Sequence, residues 1–187
     1  GSGGHGDALR GVDCSYTEVS LATEGDEVRR IAMVNDVLVA PENPEAVIAA
    51  MADPAVKIVT MTVTEKGYCH NPASGTMNLD HPDIRHDLVH DLPVSAPGYL
   101  VRALAVRQVA GVAPFTVLTC DNLPENGKLV RGLVLELAAR IDPALASWIA
   151  TQGRFPSTMV DRITPATTDV DLARIATLTG DADAAPV

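Results

Sequence analysis

The chain has 187 residues, of which 47% are hydrophobic and 20% are charged, and this is the composition of a globular protein with a buried core. Its formal net charge of −10, without a lysine- and arginine-rich run, argues against binding to nucleic acid or to an anionic membrane surface. No apolar stretch approaches the ~20 residues of a membrane-spanning helix. Since no signal-peptide pattern is visible either, we expect a cytoplasmic protein.

The N-terminal third of the chain carries signals for strands. We expect residues 1–12, which begin GSGGHG, to be a flexible segment. Two β-rich runs follow, Ser15–Ala22 and Glu27–Val39, and a turn composition at 23–26 separates them. Two such runs around a short turn predict a β-hairpin.

A helix, a strand and a long loop come next. Asn43 as N-cap and Pro44 at the first helical position predict a short helix that ends near Asp53–Pro54. Lys57–Thr64 is almost continuously apolar, as expected for a strand covered on both faces. Residues 64–97 form a long polar stretch, and a loop of that length is usually functional or carries small elements of its own.

The remaining segments alternate again between helix and strand. Gly98–Ala110 has helical spacing and Gly111 is a plausible stop signal. Phe115–Leu118 suits a buried strand. The last predicted segments are a helix over Glu125–Ile141, a helix that starts at Asp142–Pro143, an extended passage over Arg154–Ile163, a helix over Asp169–Thr177 and a disordered tail. The alternation over 35–140 predicts an α/β fold with parallel βαβ units, that is, a Rossmann-like sheet with flanking helices.

The three cysteines give no sign of a disulfide framework. Cys14, Cys69 and Cys120 are odd in number and widely spaced, which indicates reduced thiols. Cys120 could be a nucleophile, but it has no basic neighbour and Asp121 beside it would raise its pKa. A small buried side chain is the favoured interpretation of Cys120.

The turn after the Phe115–Leu118 strand is the best candidate for a functional site. Ligands bind at the carboxyl ends of strands in an open α/β sheet. Asn122 lies in this turn, where its amide could reach a substrate. The alternative is that Asn122 caps the following helix, which is the commoner arrangement when the residues alone are considered.

Four stretches resemble the polyol-specific long-chain dehydrogenases, a family that includes mannitol 2-dehydrogenases and fructuronate reductases. They are NDVLVAP at 35–41, VTMTVTEKGYC at 59–69, TCDNLPENG at 119–127 and FPSTMVDRITPAT at 155–167. The resemblance implies a metal-independent oxidoreductase that uses NAD or NADP on an open-chain sugar acid or polyol. The Glu65–Lys66–Gly67–Tyr68 version is more similar to fructuronate reductases, so interconversion of fructuronate and mannonate is the first expectation and mannitol oxidation the second.

The resemblance also implies that the chain is an internal piece. No GxGxxG motif opens a first βα unit, and the family has its glycine turn upstream and its catalytic lysine downstream of the matching part. We expect 13–153 to be a partial nucleotide-binding domain without its first βα unit. We expect 154–187 to begin the connection to a helical substrate domain. Such a piece alone would be inactive and prone to self-association, and a non-catalytic remnant is the alternative of another class.

The resemblance assigns roles to several residues. It implies that Asn122 stabilises the developing oxyanion and that Asp161 contacts substrate. The alternative for Asp161 is an ion pair with Arg162 on the surface, which is worth little. From its charge alone, and not from the resemblance, Arg162 could instead meet the carboxylate of a uronate.

Two further pairs lie at the carboxyl end of the predicted Lys57–Thr64 strand. Glu65 and Lys66 would lie near the active centre, where the family's glutamate takes part in proton transfer to solvent. A solvated pair at a loop edge is the equally weighted alternative. Thr62 and Thr64 would lie along the cofactor in a Rossmann-like sheet.

The histidines invite a metal hypothesis, which we do not favour. His86 and His90 have i, i+4 spacing, with His70 and His81 in the same loop. Zinc needs three or four converging ligands, and the helicity of this loop is uncertain. We therefore expect a solvated loop and no metal.

Overall fold

The structure, a computed structural model, describes residues 9–22, 24–159 and 166–180. The chain divides into two compact units, one formed by 1–39 with 162–187 and the other by 40–161. In chain order the elements are β1 (Tyr16–Ser20), β2 (Glu27–Ile31), α1 (Pro44–Ala52), β3 (Ile58–Met61), a 3₁₀ helix η1 (Glu65–Tyr68), α2 (Pro82–Asp87), α3 (Ala96–Val109), β4 (Thr116–Thr119), α4 (Asn126–Ile141), α5 (Pro143–Gln152) and α6 (Asp169–Thr179).

The first unit contains the predicted hairpin. β1 and β2 pair antiparallel, in a register that runs from Tyr16 opposite Ile31 to Ser20 opposite Glu27. The prediction that the second strand continues to Val39 is wrong. The Arg10 guanidinium donates to the carbonyl of Val37 at 3.0 and 3.2 Å, so this backbone is bonded to a side chain instead of a neighbouring strand.

The helix of the first unit, α6, confirms the prediction over Asp169–Thr177 and extends it to Thr179. It begins with a capping box, in which the Thr168 hydroxyl accepts from Asp171 N and the Asp171 carboxylate accepts from Thr168 N. It stops at Gly180, which has a φ of +78°, a left-handed conformation that glycine adopts without strain.

The second unit is built on a parallel pair of strands. β3 and β4 pair from Ile58 opposite Thr116 to Met61 opposite Thr119, and α3 lies between them in the chain. The predicted parallel βαβ unit is therefore confirmed. β3 is shorter than predicted because Val63 N donates to a side-chain carboxylate rather than to a strand carbonyl. Its first residue, Ile58, is 55% exposed, so the expectation of cover on both faces is wrong there.

The helix starts follow the sequence signals. Asn43 caps α1 through its side chain, which accepts from Ala46 N at 2.9 Å, as predicted. α3 starts two residues before the predicted Gly98, because Ser95 is its N-cap and its hydroxyl accepts from Gly98 N. Gly111 follows α3 with a φ of +67°, which confirms it as the stop.

The loop between β3 and α3 carries small elements, as expected from its length. These are η1, α2 and an antiparallel bridge between His70 and Met77. The fully buried Asp87 carboxylate fastens the end of the loop by accepting from Val94 N at 2.8 Å and Ser95 N at 3.1 Å. Residues far from regular sheet are thereby held in one conformation.

The core lies between the sheet and helices α3, α4 and α5. Its most completely buried side chains include Tyr68, Ile84, Leu100, Leu104, Phe115, Leu133, Leu137, Leu145 and Ile149. Arg107 is buried with them at 2% exposure, and its guanidinium lies 5.0 Å from the centre of the Phe115 ring. It donates to the carbonyls of Met51, Asp53, Val56 and Ala113. One side chain thus joins the end of α1 to the segments before β3 and β4.

We predict that Arg107→Met lowers the free energy of unfolding by about 3 kcal/mol, because it leaves carbonyl groups without their donor. Arg140→Met is the matched control, since among the described residues the exposed Arg140 donates only to the carbonyl of Glu136 within its own helix. The measurement is urea denaturation followed by circular dichroism. Equal midpoints for the two variants would show that the Arg107 hydrogen bonds do not stabilise the fold.

Candidate active site

Two strands end at the same edge of the sheet. Because Met61 lies opposite Thr119 in the parallel register, the residues after each strand are neighbours. Cys120 N continues the ladder by donating to the carbonyl of Met61 at 2.8 Å. The segments 62–64 and 120–122 therefore occupy the edge at which open α/β sheets bind ligands.

A buried carboxylate connects the two segments. Asp121 is 8% exposed. Its Oδ1 accepts from Val63 N at 2.9 Å, and its Oδ2 accepts from the hydroxyl of Tyr68. Burial raises the pKa of Asp121, and the hydrogen bond from Val63 N partly offsets this rise. Asp121 thus ties the turn after β4 to both the end of β3 and η1.

A buried amide holds the same turn from its other side. Asn126 is completely buried, and its Nδ2 donates to the carbonyl of Asp121 at 2.9 Å and to Thr158 Oγ1 at 3.2 Å. Its Oδ1 accepts from Thr158 N at 3.0 Å. Asn126 was not among the residues predicted from the sequence, because a polar residue at the start of an apolar helix usually indicates exposure.

The glycine after it allows the chain to come close. Gly127 N donates to Ser157 Oγ at 3.2 Å. A Cβ atom on Gly127 would lie 2.6 Å from the carbonyl oxygen of Pro156, closer than side chains approach backbone. Asn126 and Gly127 together hold 156–158 against the start of α4.

A cavity of about 210 Å³ opens beside this turn, lined by Asp121, Asn122, Leu123, Pro124, Glu125, Thr158 and Met159. Asn122 is exposed. Its side-chain amide makes no hydrogen bond to other residues in the part of the chain that the structure describes. The alternative that Asn122 caps the next helix is wrong, because the N-cap of α4 is Glu125 in a left-handed conformation, without a side-chain capping bond.

The structure brings the predicted residues after β3 to the same edge but not into the cavity lining. Thr62, Thr64, Glu65 and Lys66 are all exposed. Glu65 and Lys66 begin η1, so the same short helix that carries them also carries Tyr68. Their roles stay predictions.

The two predicted substrate contacts, Asp161 and Arg162, lie outside the described residues. The described range 24–159 ends beside the cavity at Met159, which is 91% exposed. The roles of Asp161 and Arg162 therefore also stay predictions.

The cysteines are free, as predicted. Cys14 and Cys69 are buried, whereas Cys120 is exposed, so the interpretation of Cys120 as a buried side chain is wrong. The turn directs Cys120 outward because the next residue, Asp121, is the one that points into the protein.

The two histidines with i, i+4 spacing, His86 and His90, do not direct their rings toward a common metal position. The rings of His86 and His90 stack at 4.2 Å, and His90 Nδ1 contacts the carbonyl of His86. Within the described residues, ligand atoms of Cys69, His81 and Asp83 lie within 4.8 Å of one another. Burial raises the pKa of the Cys69 thiol to about 11, so a metal would have to displace its proton. The absence of a metal stays a prediction.

No helix in the ranges that the structure describes is long and apolar enough to cross a membrane. The pattern that remains is an exposed amide at the carboxyl end of a parallel strand, held from behind by a buried carboxylate and a buried amide. A fixed amide N–H of this kind can stabilise negative charge on an oxygen atom.

The sequence and the fold of this chain match those of known proteins. The family model described as "Mannitol dehydrogenase Rossmann domain" matches residues 5–186. A mannitol 2-dehydrogenase of Phaeosphaeria nodorum is 47% identical over 182 residues, which are 97% of this chain and 32% of the relative. A solved D-sorbitol dehydrogenase in substrate-free form has a TM-score of 0.89 and 38% identity, over 94% of this chain and 37% of that one.

A second solved structure, a ternary complex of Pseudomonas fluorescens mannitol 2-dehydrogenase with NAD and D-mannitol, has a TM-score of 0.87 and 38% identity. It matches 93% of this chain and 36% of that one. The fold is a Rossmann-like α/β fold, as predicted. The chain spans about a third of the length of these relatives.

We predict that Gly127→Ala lowers the free energy of unfolding by about 2 kcal/mol, since the new Cβ forces 156–158 away from α4. Gly132→Ala is the control in the same helix, because nothing lies within 4 Å of its added Cβ. That variant should gain up to about 1 kcal/mol from helix propensity. Thermal and urea unfolding measure both, and a stabilised Gly127→Ala variant would contradict the close approach.

Proposed function

Because this chain belongs to the mannitol dehydrogenase family, we propose that it is the nucleotide-binding part of an NAD-dependent dehydrogenase that oxidises a secondary alcohol of an open-chain polyol. The observation that carries this proposal is the exposed, unbonded amide of Asn122 at the carboxyl end of β4, among the described residues. Buried polar groups hold the turn beneath it, so the backbone that carries the amide is held without substrate.

The reaction needs a donor at the substrate oxygen. NAD, when bound, accepts the hydride that leaves the carbinol carbon. The oxygen on that carbon carries developing negative charge as its proton is lost, and Asn122 Nδ2 donates a hydrogen bond to it. A donor fixed before substrate arrives stabilises the transition state without being reorganised.

The β3 end of the edge suits the cofactor. Thr62 and Thr64 offer exposed, uncharged hydroxyl groups beside the turn. Such groups fit the hydroxyls of a ribose or the amide of nicotinamide better than they fit a phosphate, which binds at helix N-termini or cationic side chains. We assign both threonines to cofactor contact, and we assign NAD rather than NADP because the related mannitol 2-dehydrogenase was solved with NAD.

Four charged residues complete the proposal. Glu65 passes the proton to solvent, for which its exposed position at the start of η1 is suitable. Lys66 lies beside Glu65 and contributes a positive charge there. Asp161 accepts hydrogen bonds from substrate hydroxyls, and Arg162 contacts the far end of the substrate.

The substrate is proposed to be mannitol or a similar polyol, since two of the named relatives are mannitol 2-dehydrogenases. The sugar acid mannonate, with fructuronate as its oxidised form, is the second candidate. Lys66 and Arg162 favour it, because either cation could pair with a carboxylate. The ratio of kcat/KM for mannitol to that for mannonate decides between them. Cytoplasmic location and self-association remain part of the proposal.

We predict that Asn122→Ala, in a complete protein that carries this chain, lowers kcat by roughly 10²-fold, the scale of removing one oxyanion donor. The Kd for NAD should change by less than about two-fold, because the amide faces the substrate. The melting temperature should stay near the wild-type value, since the Asn122 side chain makes no hydrogen bond to other described residues. Steady-state kinetics, cofactor titration and calorimetry provide the three readouts.

Asn122→Asp is the matched control for shape. It keeps the size of the side chain but replaces the donor by a carboxylate, so kcat should fall at least as far as in Asn122→Ala. A normal kcat in either variant would overturn the proposed role. A lowered melting temperature with normal turnover would instead make Asn122 a structural residue.

A further inference from the structure

The hydrogen bonds of Asp121 bear on the proposed site although both of its carboxylate oxygens are engaged within the protein. A carboxylate that is 8% exposed is costly unless hydrogen bonds compensate its lost hydration. Both of its oxygens have a donor, Val63 N on Oδ1 and the Tyr68 hydroxyl on Oδ2. The carboxylate is therefore anchored to two separate pieces of backbone.

The backbone of the same residue is anchored as well. The carbonyl of Asp121 accepts from Asn126 Nδ2 at 2.9 Å and from Leu123 N at 2.9 Å. The direction of the Asn122 side chain is set by the peptide that precedes it, and all three oxygen atoms of Asp121 accept hydrogen bonds. Loss of one anchor would allow this peptide to rotate.

The Tyr68 end is equally rigid. Tyr68 is 0% exposed and is the last residue of η1, which begins with Glu65 and Lys66. Its ring is fixed by the core around it, so its hydroxyl has one direction available. The Tyr68–Asp121 hydrogen bond thus joins two segments that are 53 residues apart in the sequence. One is η1, which is proposed to move the proton, and the other is the turn after β4, which is proposed to bind the substrate oxygen.

We propose that Tyr68 and Asp121 form a positioning pair for the dehydrogenase site: Tyr68, through the Asp121 carboxylate, holds the Asn122 amide in its donor position and holds η1 beside it. This inference rests on the proposed function. We assign neither side chain a hydrogen bond to substrate, because the Tyr68 hydroxyl and both carboxylate oxygens of Asp121 have partners within the protein. Their effect on turnover passes through Asn122, and that dependence distinguishes positioning from general stabilisation.

The test is a double-mutant cycle in the complete protein that carries this chain. Tyr68→Phe removes only the hydroxyl and should lower kcat about ten-fold, since small displacements of a catalytic group are costly, with the Kd for NAD nearly unchanged. In the Asn122→Ala background the same change should have almost no further effect on kcat. Tyr99→Phe is the control, because within the described ranges the Tyr99 hydroxyl donates only to the carbonyl of Ala40, at 3.4 Å. The kcat of this variant should not change.

Two kinetic outcomes would overturn the inference. One is an unchanged kcat in Tyr68→Phe. The other is the same fold-loss in both backgrounds, which would show that Tyr68 acts independently of Asn122.

A measurement without turnover separates this inference from the proposed function. Protein labelled with ¹⁵N-asparagine gives side-chain amide signals, and the Asn122 signal is identified by its disappearance in Asn122→Ala. It should shift or broaden in Tyr68→Phe and stay in place in Tyr99→Phe. If wild-type protein fails to oxidise polyols with NAD, the proposed function fails while this readout still decides the positioning. An unmoved Asn122 signal in Tyr68→Phe would overturn the positioning pair.

Discussion

The buried amide of Asn126 is the interaction on which the rest of the site depends. It donates to the carbonyl of Asp121 and exchanges hydrogen bonds with Thr158, and no water replaces these partners because the side chain is completely buried. A buried amide without these partners would destabilise the fold by more than a typical surface contact stabilises it. These hydrogen bonds therefore hold the turn after β4, the start of α4 and the segment at 157–158 in one arrangement.

This constraint explains how a four-residue strand can present a precise site. β4 itself ends at Thr119, so it does not fix the residues of the turn that follows. Beyond it the chain leaves the sheet, and Asp121 and Asn126 take over the role of the ladder hydrogen bonds. Asn122, placed between two anchored residues, is exposed yet directed, which is the condition for preorganised stabilisation of charge.

Local signals were enough to predict most elements. Asn43 and Gly111 act through neighbours a few residues away, so their capping roles were visible in the sequence. The end of β3 was not visible, because Val63 N is captured by a carboxylate 58 residues later. Local propensity could not supply a partner at that distance.

The site, like the fold, could be predicted from the sequence only in part. Asn122 could be found because a polar residue after an apolar strand marks the ligand edge. Asn126 could not, since its importance comes from Thr158, 32 residues away, and a polar residue at a helix start usually indicates exposure. The alternative role of Asn122 as an N-cap could be rejected only from the structure, in which Glu125 is the N-cap of α4.

A crystal structure of the complete protein with NAD and a polyol bound would show which group holds the reacting oxygen. We expect Asn122 Nδ2 to lie at hydrogen-bonding distance, about 2.7–3.2 Å, from the oxygen on the carbon that loses the hydride. The hydrogen bonds of Asp121 and Asn126 should be unchanged in that complex. An Asn122 amide turned onto its own backbone, with the substrate oxygen held by another donor, would contradict this expectation.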